Sequence, residues 1–282
     1  MKKITRRSFM AAAGLTVAAL ALTACGGSSS TASSAAASSV ASSAAASSEA
    51  ASAAATELTT VEAGKLTMAT NAAFPPYEMT TDAGEFEGID IETAQAIADK
   101  LGLELQIDDM DFDAALLSVQ QGKADIVMAG VTVTDERKAV MDFSDNYATG
   151  IQSIIVPEGS DITSPDDLAG KKIGTQRGTT GYIYCSDDFG DDAVVAYDDG
   201  LTAVQALKNG QVDAVVIDNA PAKEFVAANP GLVILDTSYA EEDYAIGLAK
   251  GSALEDAVNA ALEELKADGT LQSIVDKYIT AE

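Results

Sequence analysis

Residues 115–130 read ALLSVQQGKADIVMAG, and residues 203–218 read AVQALKNGQVDAVVID. The two segments align without a gap, so that Gly122 matches Gly210 and Asp125 matches Asp213. In each segment apolar residues three or four apart predict a helix, a glycine ends it, and an apolar run predicts a strand. Any helix–glycine–strand unit shares this general pattern. The matched aspartate and the equal spacing favour two related lobes.

Similar units continue along the chain on both sides of this pair. Asp90 is predicted to cap a helix that ends at Gly102, and Ser164 to cap another before Pro165. The remaining helices are predicted at 112–121, from Tyr182, around Pro221, at 254–265 and at 271–279; the strands are predicted at 66–69, 103–107, 126–128, 172–175 and 232–235. Strands that alternate with helices of this length indicate βαβ units and a mostly parallel sheet.

Gly130 and Asp218 fall at the carboxyl ends of the two matched strands. In open parallel sheets, ligands bind beyond this edge. Two lobes that face each other with these edges would form a cleft. Arg137 follows the first of these strands, in a chain with 17 basic and 44 acidic residues. It is therefore either a surface partner of Asp135 or Glu136, or a binding group for an anion.

The first 24 residues have the pattern of a signal peptide. A basic segment, MKKITRRSFM, precedes an apolar run that is too short to remain as a transmembrane helix. Leu22-Thr23-Ala24-Cys25 resembles a bacterial lipobox, in which the cysteine is acylated; an ordinary cleaved signal with a chance cysteine is the alternative. The spacing, the position and the following Gly-Ser run favour the lipobox. Thr5-Arg6-Arg7-Ser8-Phe9 resembles a twin-arginine motif, so Sec and twin-arginine export both stay open.

Residues 25–60 are predicted to be a tether that follows the lipid-anchored Cys25. Residues 26–56 consist almost entirely of Gly, Ser, Thr and Ala. Such a segment cannot bury enough apolar surface to offset the entropy of ordering, so we expect disorder there. The body that follows is long enough for two lobes of about 100 residues each.

Composition excludes several classes of function. A net charge of −27 argues against nucleic acid and anionic lipid as partners. The chain has no histidine, which is the commonest metal ligand and general base. We expect no metal site and no cofactor. With Cys25 acylated, Cys185 has no intramolecular disulfide partner and is most simply a lone thiol.

Five segments, taken together and in order, carry a family resemblance. They are ATNAAFPPYE (69–78), GIDIETAQAIADKLG (88–102), MDFDAALLSVQQGKADIVMAGVTVTDERKAVMDFS (110–144), KIGTQRGTTG (172–181) and VDAVVID (212–218). The body resembles the polar amino-acid-binding proteins of ABC transporters, solute-binding protein family 3. The resemblance implies an α/β fold of the type II periplasmic-binding-protein class, with two lobes, two hinge strands and a ligand cleft between the lobes. The first lobe would comprise 61–148 and 244–282 and the second 149–243, with crossings near 147–151 and 242–246.

The resemblance also implies eleven ligand-binding residues. They are Asn71, Phe74, Phe112, Ala129, Gly130, Thr132, Arg137, Gln176, Thr179, Thr180 and Asp218. Arg137 would clamp the ligand α-carboxylate with two parallel hydrogen bonds, which suits a planar guanidinium. Thr132 would add a hydroxyl and an N–H group to the same carboxylate, and Ala129 would line that wall.

The other lobe would supply the remaining main-chain and charged contacts. Thr179 and Thr180 sit at a predicted helix start, where free N–H groups attract a carboxylate; simple N-capping is the alternative, and both can hold. Asp218 would bind the ligand ammonium together with the carbonyl of Gly130, unless Asp218 is an ordinary cap for the next helix.

Four residues would select the ligand side chain. Phe74 and Phe112 would enclose it, although buried aromatic residues are more often plain core. Asn71 and Gln176 are neutral amides, where relatives that bind cationic ligands often have an acid in place of Asn71. The pair therefore favours a polar uncharged ligand, since a buried cation would be poorly paired. Asp111 and Glu78 nearby weaken this inference.

The predicted function is that of a binding protein without catalytic residues. It would take a free polar amino acid and deliver it to the permease and ATPase of an ABC importer. It would act as a monomer on the outer face of the cytoplasmic membrane, which it contacts only through the lipid anchor. Two alternatives stay open at this point: a surface lipoprotein that senses a ligand, and a dehydratase-like enzyme on the same fold that would use Asp218 or Glu78 as its acid.

Overall fold

The computed structural model describes residues 58–279. The predicted signal peptide, Cys25 and nearly all of the predicted tether therefore lie outside the described residues. Within residues 58–279, no helix combines the length and the apolar composition needed to cross a bilayer.

The described chain alternates strands and helices, as its apolar periodicity predicts. The strands are β1 (Lys65–Thr70), β2 (Ala73–Phe74), β3 (Glu78–Thr80), β4 (Phe86–Glu87), β5 (Glu104–Asp109), β6 (Ile126–Val127), β7 (Met141–Phe143), β8 (Ala148–Pro157), β9 (Ile173–Gln176), β10 (Val194–Tyr197), β11 (Ala214–Asp218), β12 (Leu232–Ile234), β13 (Ala240–Tyr244) and β14 (Gly247–Ala249). The helices are α1 (Ile89–Leu101), α2 (Phe112–Gln120), α3 (Asp135–Lys138), α4 (Thr180–Phe189), α5 (Gly200–Lys208), α6 (Asn219–Ala228), α7 (Glu255–Ala267) and α8 (Thr270–Tyr278). Two short 3-10 helices cover Pro165–Leu168 and Asp191–Ala193.

The strands form two main sheets with equivalent orders. The first sheet has the order β5-β1-β6-β14-β7 and the second the order β10-β9-β11-β8-β12, with β13 also paired to β8. In each sheet the first three strands run parallel, and the fourth runs antiparallel to its neighbours. Four of the five strands in each order therefore point the same way, as expected of a mostly parallel sheet, and one inserted strand, β14 or β8, runs against them. A small third sheet, β2-β3-β4, lies outside both.

The chain passes between the two sheets twice. It leaves the first sheet between β7 and β8 and returns between β13 and β14. The two crossings are adjacent, because β13 pairs antiparallel with the start of β8 and aligns Tyr244 with Ala148. Gly150 on β8 leaves space for the ring of Tyr244, since a Cβ atom there would lie 2.4 Å from Tyr244 Cζ.

Both sheets are covered by helices on their two faces. Because successive strand residues point to opposite faces, Met68 packs against the cluster with α1, α7 and α8, whereas Ala69 packs against the cluster with α2. In the second sheet Ile217 packs with α5 and α6, and Val216 packs with α4. Strands covered on both faces are continuous apolar runs, which is why the sequence at 126–129 and 214–217 does not alternate.

Two helix starts differ from the sequence prediction: α4 begins at Thr180, two residues before the predicted Tyr182, and α1 has a different cap. The N-cap of α1 is Gly88, and Asp90 is the second residue of the helix, with a fully buried side chain. Its Oδ2 accepts hydrogen bonds from the Gly130 N–H (3.0 Å) and the Tyr147 hydroxyl (2.8 Å). Asp90 therefore connects α1 to the loop after β6 rather than capping its own helix.

Candidate functional site

One cavity lies where the carboxyl ends of β1 and β6 face those of β9 and β11. All eleven predicted ligand-binding residues line this cavity. Five further residues line it that the sequence did not predict as ligand-binding: Glu78, Gln152, Val216, Ile217 and Tyr244. Gln152 and Tyr244 belong to the crossing strands β8 and β13, and their place in the cavity comes from long-range pairing.

Arg137 lies in the cavity wall with only 8 % of its surface exposed. It is in the short helix α3, whose N-cap Thr134 accepts a hydrogen bond from the Arg137 N–H. Its guanidinium donates to the carbonyl oxygens of Thr132 (2.8 Å) and Gly178 (3.2 Å), and it lies 5.4 Å from the centroid of the Phe112 ring. The adjacent acids of α3 are exposed. The arginine therefore faces the cavity instead of a surface partner.

The opposite wall begins with α4. Thr179 is its N-cap: its hydroxyl accepts from the Tyr182 N–H and donates to the Gln176 carbonyl. Thr180 is the first residue of the helix, is buried, and has its hydroxyl 3.4 Å from that of Thr132. The N-terminus of α4 therefore lies in the cavity wall, with its positive dipole end towards the cavity.

Asp218 ends β11 and has 2 % of its surface exposed. Its Oδ1 accepts from the Ala220 N–H (3.0 Å), as the N-cap of α6, and its Oδ2 accepts from the Ile151 N–H (2.7 Å). Burial raises the pKa of this carboxyl to about 6, and the two N–H donors oppose the shift. The capping role and the cavity position predicted as alternatives thus occur together.

The neutral end of the cavity is built from two amides. Gln176 Nε2 donates to Asn71 Oδ1 (2.8 Å) and to the Asp198 carbonyl (3.3 Å), while Asn71 Nδ2 donates to the Met110 carbonyl (2.9 Å). The first of these bonds joins the end of β1 in the first sheet to the end of β9 in the second. Phe74 lines the same cavity, is half-buried and stacks on Tyr77 with 5.8 Å between ring centroids.

Gly130 lines the cavity in a backbone conformation that favours glycine. Its φ of +54° lies in the left-handed region, and a Cβ atom there would lie 2.9 Å from Phe74 Cε1 and 3.2 Å from Tyr244 Cε2. Ala129 beside it is buried in the cluster that contains Phe112. The loop after β6 thus presents main-chain atoms to the cavity.

Glu78 is a fully buried acid in the same wall. Burial, followed by the charge of Asp90, raises its pKa well above the usual range. Burial also raises the pKa of Asp90 to about 6. Protonation of Glu78 avoids placing two buried negative charges side by side.

The geometry can be compared with known proteins. The sequence profile of the bacterial extracellular solute-binding proteins, family 3, matches residues 66–281. The chain belongs to this family. Its fold is the type II periplasmic-binding-protein fold, a mixed α/β architecture.

Proteins with related sequences and structures are named for several amino acid ligands. The L-cystine-binding protein TcyJ of Escherichia coli (strain K12) is 34 % identical over 226 residues, which cover 78 % of this chain and 85 % of TcyJ. The crystal structure of the arginine-, lysine-, histidine-binding protein ArtJ from Geobacillus stearothermophilus has a TM-score of 0.74 at 34 % identity and covers 77 % of this chain and 96 % of ArtJ. An ancestral arginine-binding protein bound to glutamine has a TM-score of 0.74 at 42 % identity and covers 77 % of this chain and 99 % of the ancestral protein.

Proposed function

We propose that this protein binds a free polar amino acid outside the cytoplasm and delivers it to an ABC permease. The observation that carries the proposal is the pair of opposite charges in one cavity: Arg137 in one wall and Asp218 in the other, both buried. A free α-amino acid carries one negative and one positive group on the same carbon. The cavity offers a counter-charge to each.

The α-carboxylate would bind at the Arg137 end. There the guanidinium, the hydroxyls of Thr132 and Thr180, and the N-terminus of α4 converge. Guanidinium–carboxylate pairs are strong because two charge-assisted hydrogen bonds form in parallel. The Arg137 donors that now bond main-chain carbonyls would turn to the ligand.

The α-ammonium would bind between the Asp218 carboxylate and the Gly130 carbonyl. Only glycine allows the left-handed turn and the close approach to Phe74 and Tyr244 that this carbonyl position requires. A bound ammonium would favour ionised Asp218 and would lower the pKa that burial raises in the unliganded protein.

The amide pair favours a ligand side chain that donates hydrogen bonds. Nδ2 of Asn71 donates to the Met110 carbonyl, and Nε2 of Gln176 donates to the Asp198 carbonyl. The oxygen of each amide therefore points away from the carbonyl that its nitrogen binds. Oε1 of Gln176 is then available as an acceptor. We infer a polar uncharged ligand with an N–H donor, such as a side-chain amide. Structures of ancestral arginine-binding proteins, 42 % and 43 % identical, contain glutamine and arginine, and both of these side chains donate N–H groups.

Closure of two lobes would complete the site. Residues 61–148 with 244–282 would move as one lobe and 149–243 as the other, about the adjacent strands β8 and β13. Only the closed form engages both ligand charges, so ligand would shift an open–closed equilibrium towards it. The hydrogen bonds of Asn71 with Gln176 and of Arg137 with Gly178 connect the two sides and support closure at this position.

Delivery would take place at the membrane surface. Acylation of Cys25 and the segment up to residue 60 would hold the binding domain outside the cytoplasmic membrane, and the permease and its ATPase would supply the pore and the energy. The lipobox spacing and the extracellular family support this arrangement.

A thermal-shift screen of residues 25–282 against the twenty common amino acids tests the proposal. A ligand present at 100 times its dissociation constant stabilises a protein by about 2.7 kcal/mol. We expect one or a few polar amino acids to raise the melting temperature, and Arg137→Ala to abolish the rise for each of them. Arg177→Ala, which removes an exposed arginine paired with Asp198, is the control. Unchanged shifts in Arg137→Ala would refute the carboxylate clamp, and a wild-type chain that no amino acid stabilises would refute the function.

A further inference from the structure

Glu242 is a buried acid beside the proposed carboxylate site. It lies in β13, and 5 % of its surface is exposed, whereas its neighbours Glu241 and Asp243 are exposed. It is absent from the cavity lining and from the motifs that predict the site. A buried carboxylate is unfavourable without compensating partners. The contacts of Glu242 therefore indicate its role.

The contacts of Glu242 lead directly to the site. Its Oε2 accepts hydrogen bonds from the Thr132 hydroxyl (3.0 Å) and from Gln152 Nε2 (3.0 Å). Its Oε1 has no partner with satisfactory hydrogen-bond geometry among residues 58–279. The Tyr184 hydroxyl is close enough that burial, followed by the Glu242 charge, raises its pKa to about 12.

Thr132 lies between this carboxylate and the guanidinium of Arg137. Its carbonyl accepts from Arg137 Nη1 at 2.8 Å, while its hydroxyl donates to Glu242. Burial lowers the pKa of Arg137, and the charge of Glu242 is the foremost of the charges that oppose this shift. Glu242 is therefore a counter-charge to Arg137 that belongs to the protein itself.

We propose that Glu242 competes with the ligand carboxylate. It accepts the hydrogen bond of the Thr132 hydroxyl and partly neutralises the charge of Arg137, and so weakens the binding of the ligand carboxylate. The inference rests on the proposed function. A threonine hydroxyl has one proton to donate, so Thr132 can donate either to Glu242 or to the ligand. Two carboxylates near one guanidinium also repel each other.

A competitor of this kind suits a protein that must release its ligand. When the ligand carboxylate leaves, Arg137 would otherwise remain as an uncompensated buried charge, which is strongly unfavourable. Glu242 stabilises the unliganded site by staying close to the arginine. Affinity is lower in consequence, and release to the permease is easier.

Glu242→Gln tests the inference, because it removes the charge and keeps the size of the side chain. The probe is the common amino acid that raises the melting temperature most in the screen above, and its dissociation constant is measured by isothermal titration calorimetry. We expect Glu242→Gln to bind about tenfold more tightly than the wild type. The control, Glu241→Gln, removes an exposed acid from the same strand and should bind within about twofold of the wild type.

Glu242→Asp separates charge from packing, since it shortens the side chain but keeps the carboxylate. We expect its affinity to stay within about threefold of the wild type. Unchanged or weaker binding by Glu242→Gln overturns the inference, as does equal tightening by Glu242→Asp or a failure of Glu242→Gln to fold, which would make Glu242 a structural anchor. If no amino acid stabilises the wild type, the proposed function fails; if the wild type binds and Glu242→Gln does not tighten, only this inference fails.

Discussion

The units α2–β6 and α5–β11 share a helix, a glycine turn and an aspartate before the strand, although β6 has two residues and β11 five. Both helices have nine residues, and each is followed by a glycine with positive φ, +65° at Gly122 and +67° at Gly210. In each unit an aspartate then accepts a hydrogen bond from a main-chain N–H of the neighbouring parallel strand. Asp125 accepts from Thr67 in β1, and Asp213 accepts from Lys172 just before β9. The same local chemistry thus aims two strands at one cavity.

The units differ in what stands at the end. In the first, Gly130 turns into the left-handed region and presents main-chain atoms; in the second, Asp218 presents a carboxylate and caps α6. The difference shows how a repeated scaffold acquires two unlike walls. The scaffold residues control position, and a single terminal residue controls chemistry.

The largest effect is expected from removing the charge of Asp218, which distinguishes the second unit from the first. Asp218→Asn keeps the shape and an acceptor for the Ala220 N–H, but loses the counter-charge to the ligand ammonium. Loss of one partner of a buried charge pair weakens binding by about 2–5 kcal/mol, so we expect the dissociation constant to rise at least about thirtyfold. Calorimetry with the best ligand of the screen measures it. Asp213→Asn, in the same unit but away from the cavity, should bind normally; retained binding by Asp218→Asn would contradict the ammonium assignment.

The next effect tests the glycine that ends the first unit. Gly130→Ala places a Cβ against Phe74 in a left-handed conformation, and we expect a loss of about 2–3 kcal/mol in the free energy of unfolding. Gly122→Ala has the same sign of φ but nothing within 4 Å, so it should lose only about 1 kcal/mol. Urea denaturation compares the two variants. Equal losses would show that the backbone conformation alone, and not the crowded cavity, requires glycine at 130.

A smaller effect compares the matched aspartates. Asp125 is buried and accepts from two N–H groups, those of Val61 (2.7 Å) and Thr67 (2.8 Å), whereas Asp213 is exposed and accepts from Lys172 (2.7 Å). Hydrogen bonds to charged groups contribute more when buried, so Asp125→Asn should lose about 2 kcal/mol and Asp213→Asn less than about 1 kcal/mol. Chemical denaturation provides both values. A greater loss of unfolding free energy in Asp213→Asn than in Asp125→Asn would mean that burial does not determine how much these hydrogen bonds stabilise the protein.

The smallest effect follows from pH. Since burial raises the pKa of Asp218 to about 6, binding of an ammonium group should weaken up to about tenfold per unit as pH falls below 6. Unliganded stability should change in the opposite direction. The raised pKa values of Asp218 and Asp90 contribute stability that is complete below about pH 4 and is lost as pH rises through about 6. Melting temperatures and dissociation constants at pH 5, 6 and 7 measure both trends, and Asp218→Asn should flatten the binding trend; parallel trends would contradict this account.

Much of the local structure could be predicted from the sequence, because it depends on neighbours in the chain. Helical spacing and the capping groups of Gly102, Thr179 and Asp218 predict where helices begin and end, and the structure has them there. The failure at Asp90 is instructive. Asp90 stands at a helix start, where an acid often caps the helix. Its carboxylate instead accepts hydrogen bonds from Gly130 and Tyr147, which are 40 and 57 residues away in the chain.

By itself, the sequence determined the alternation of strands and helices, the repeated unit and the types of residue that reach the strand ends, since these follow from periodicity and local hydrogen bonding. Only the tertiary structure decided the antiparallel placement of β8 and β14, the full burial of Glu78, and the burial of Glu242 behind Thr132 and Arg137. The surroundings of Glu78 and Glu242 depend on desolvation and on partners that are distant in the chain. No pattern in a short window of residues encodes either of these.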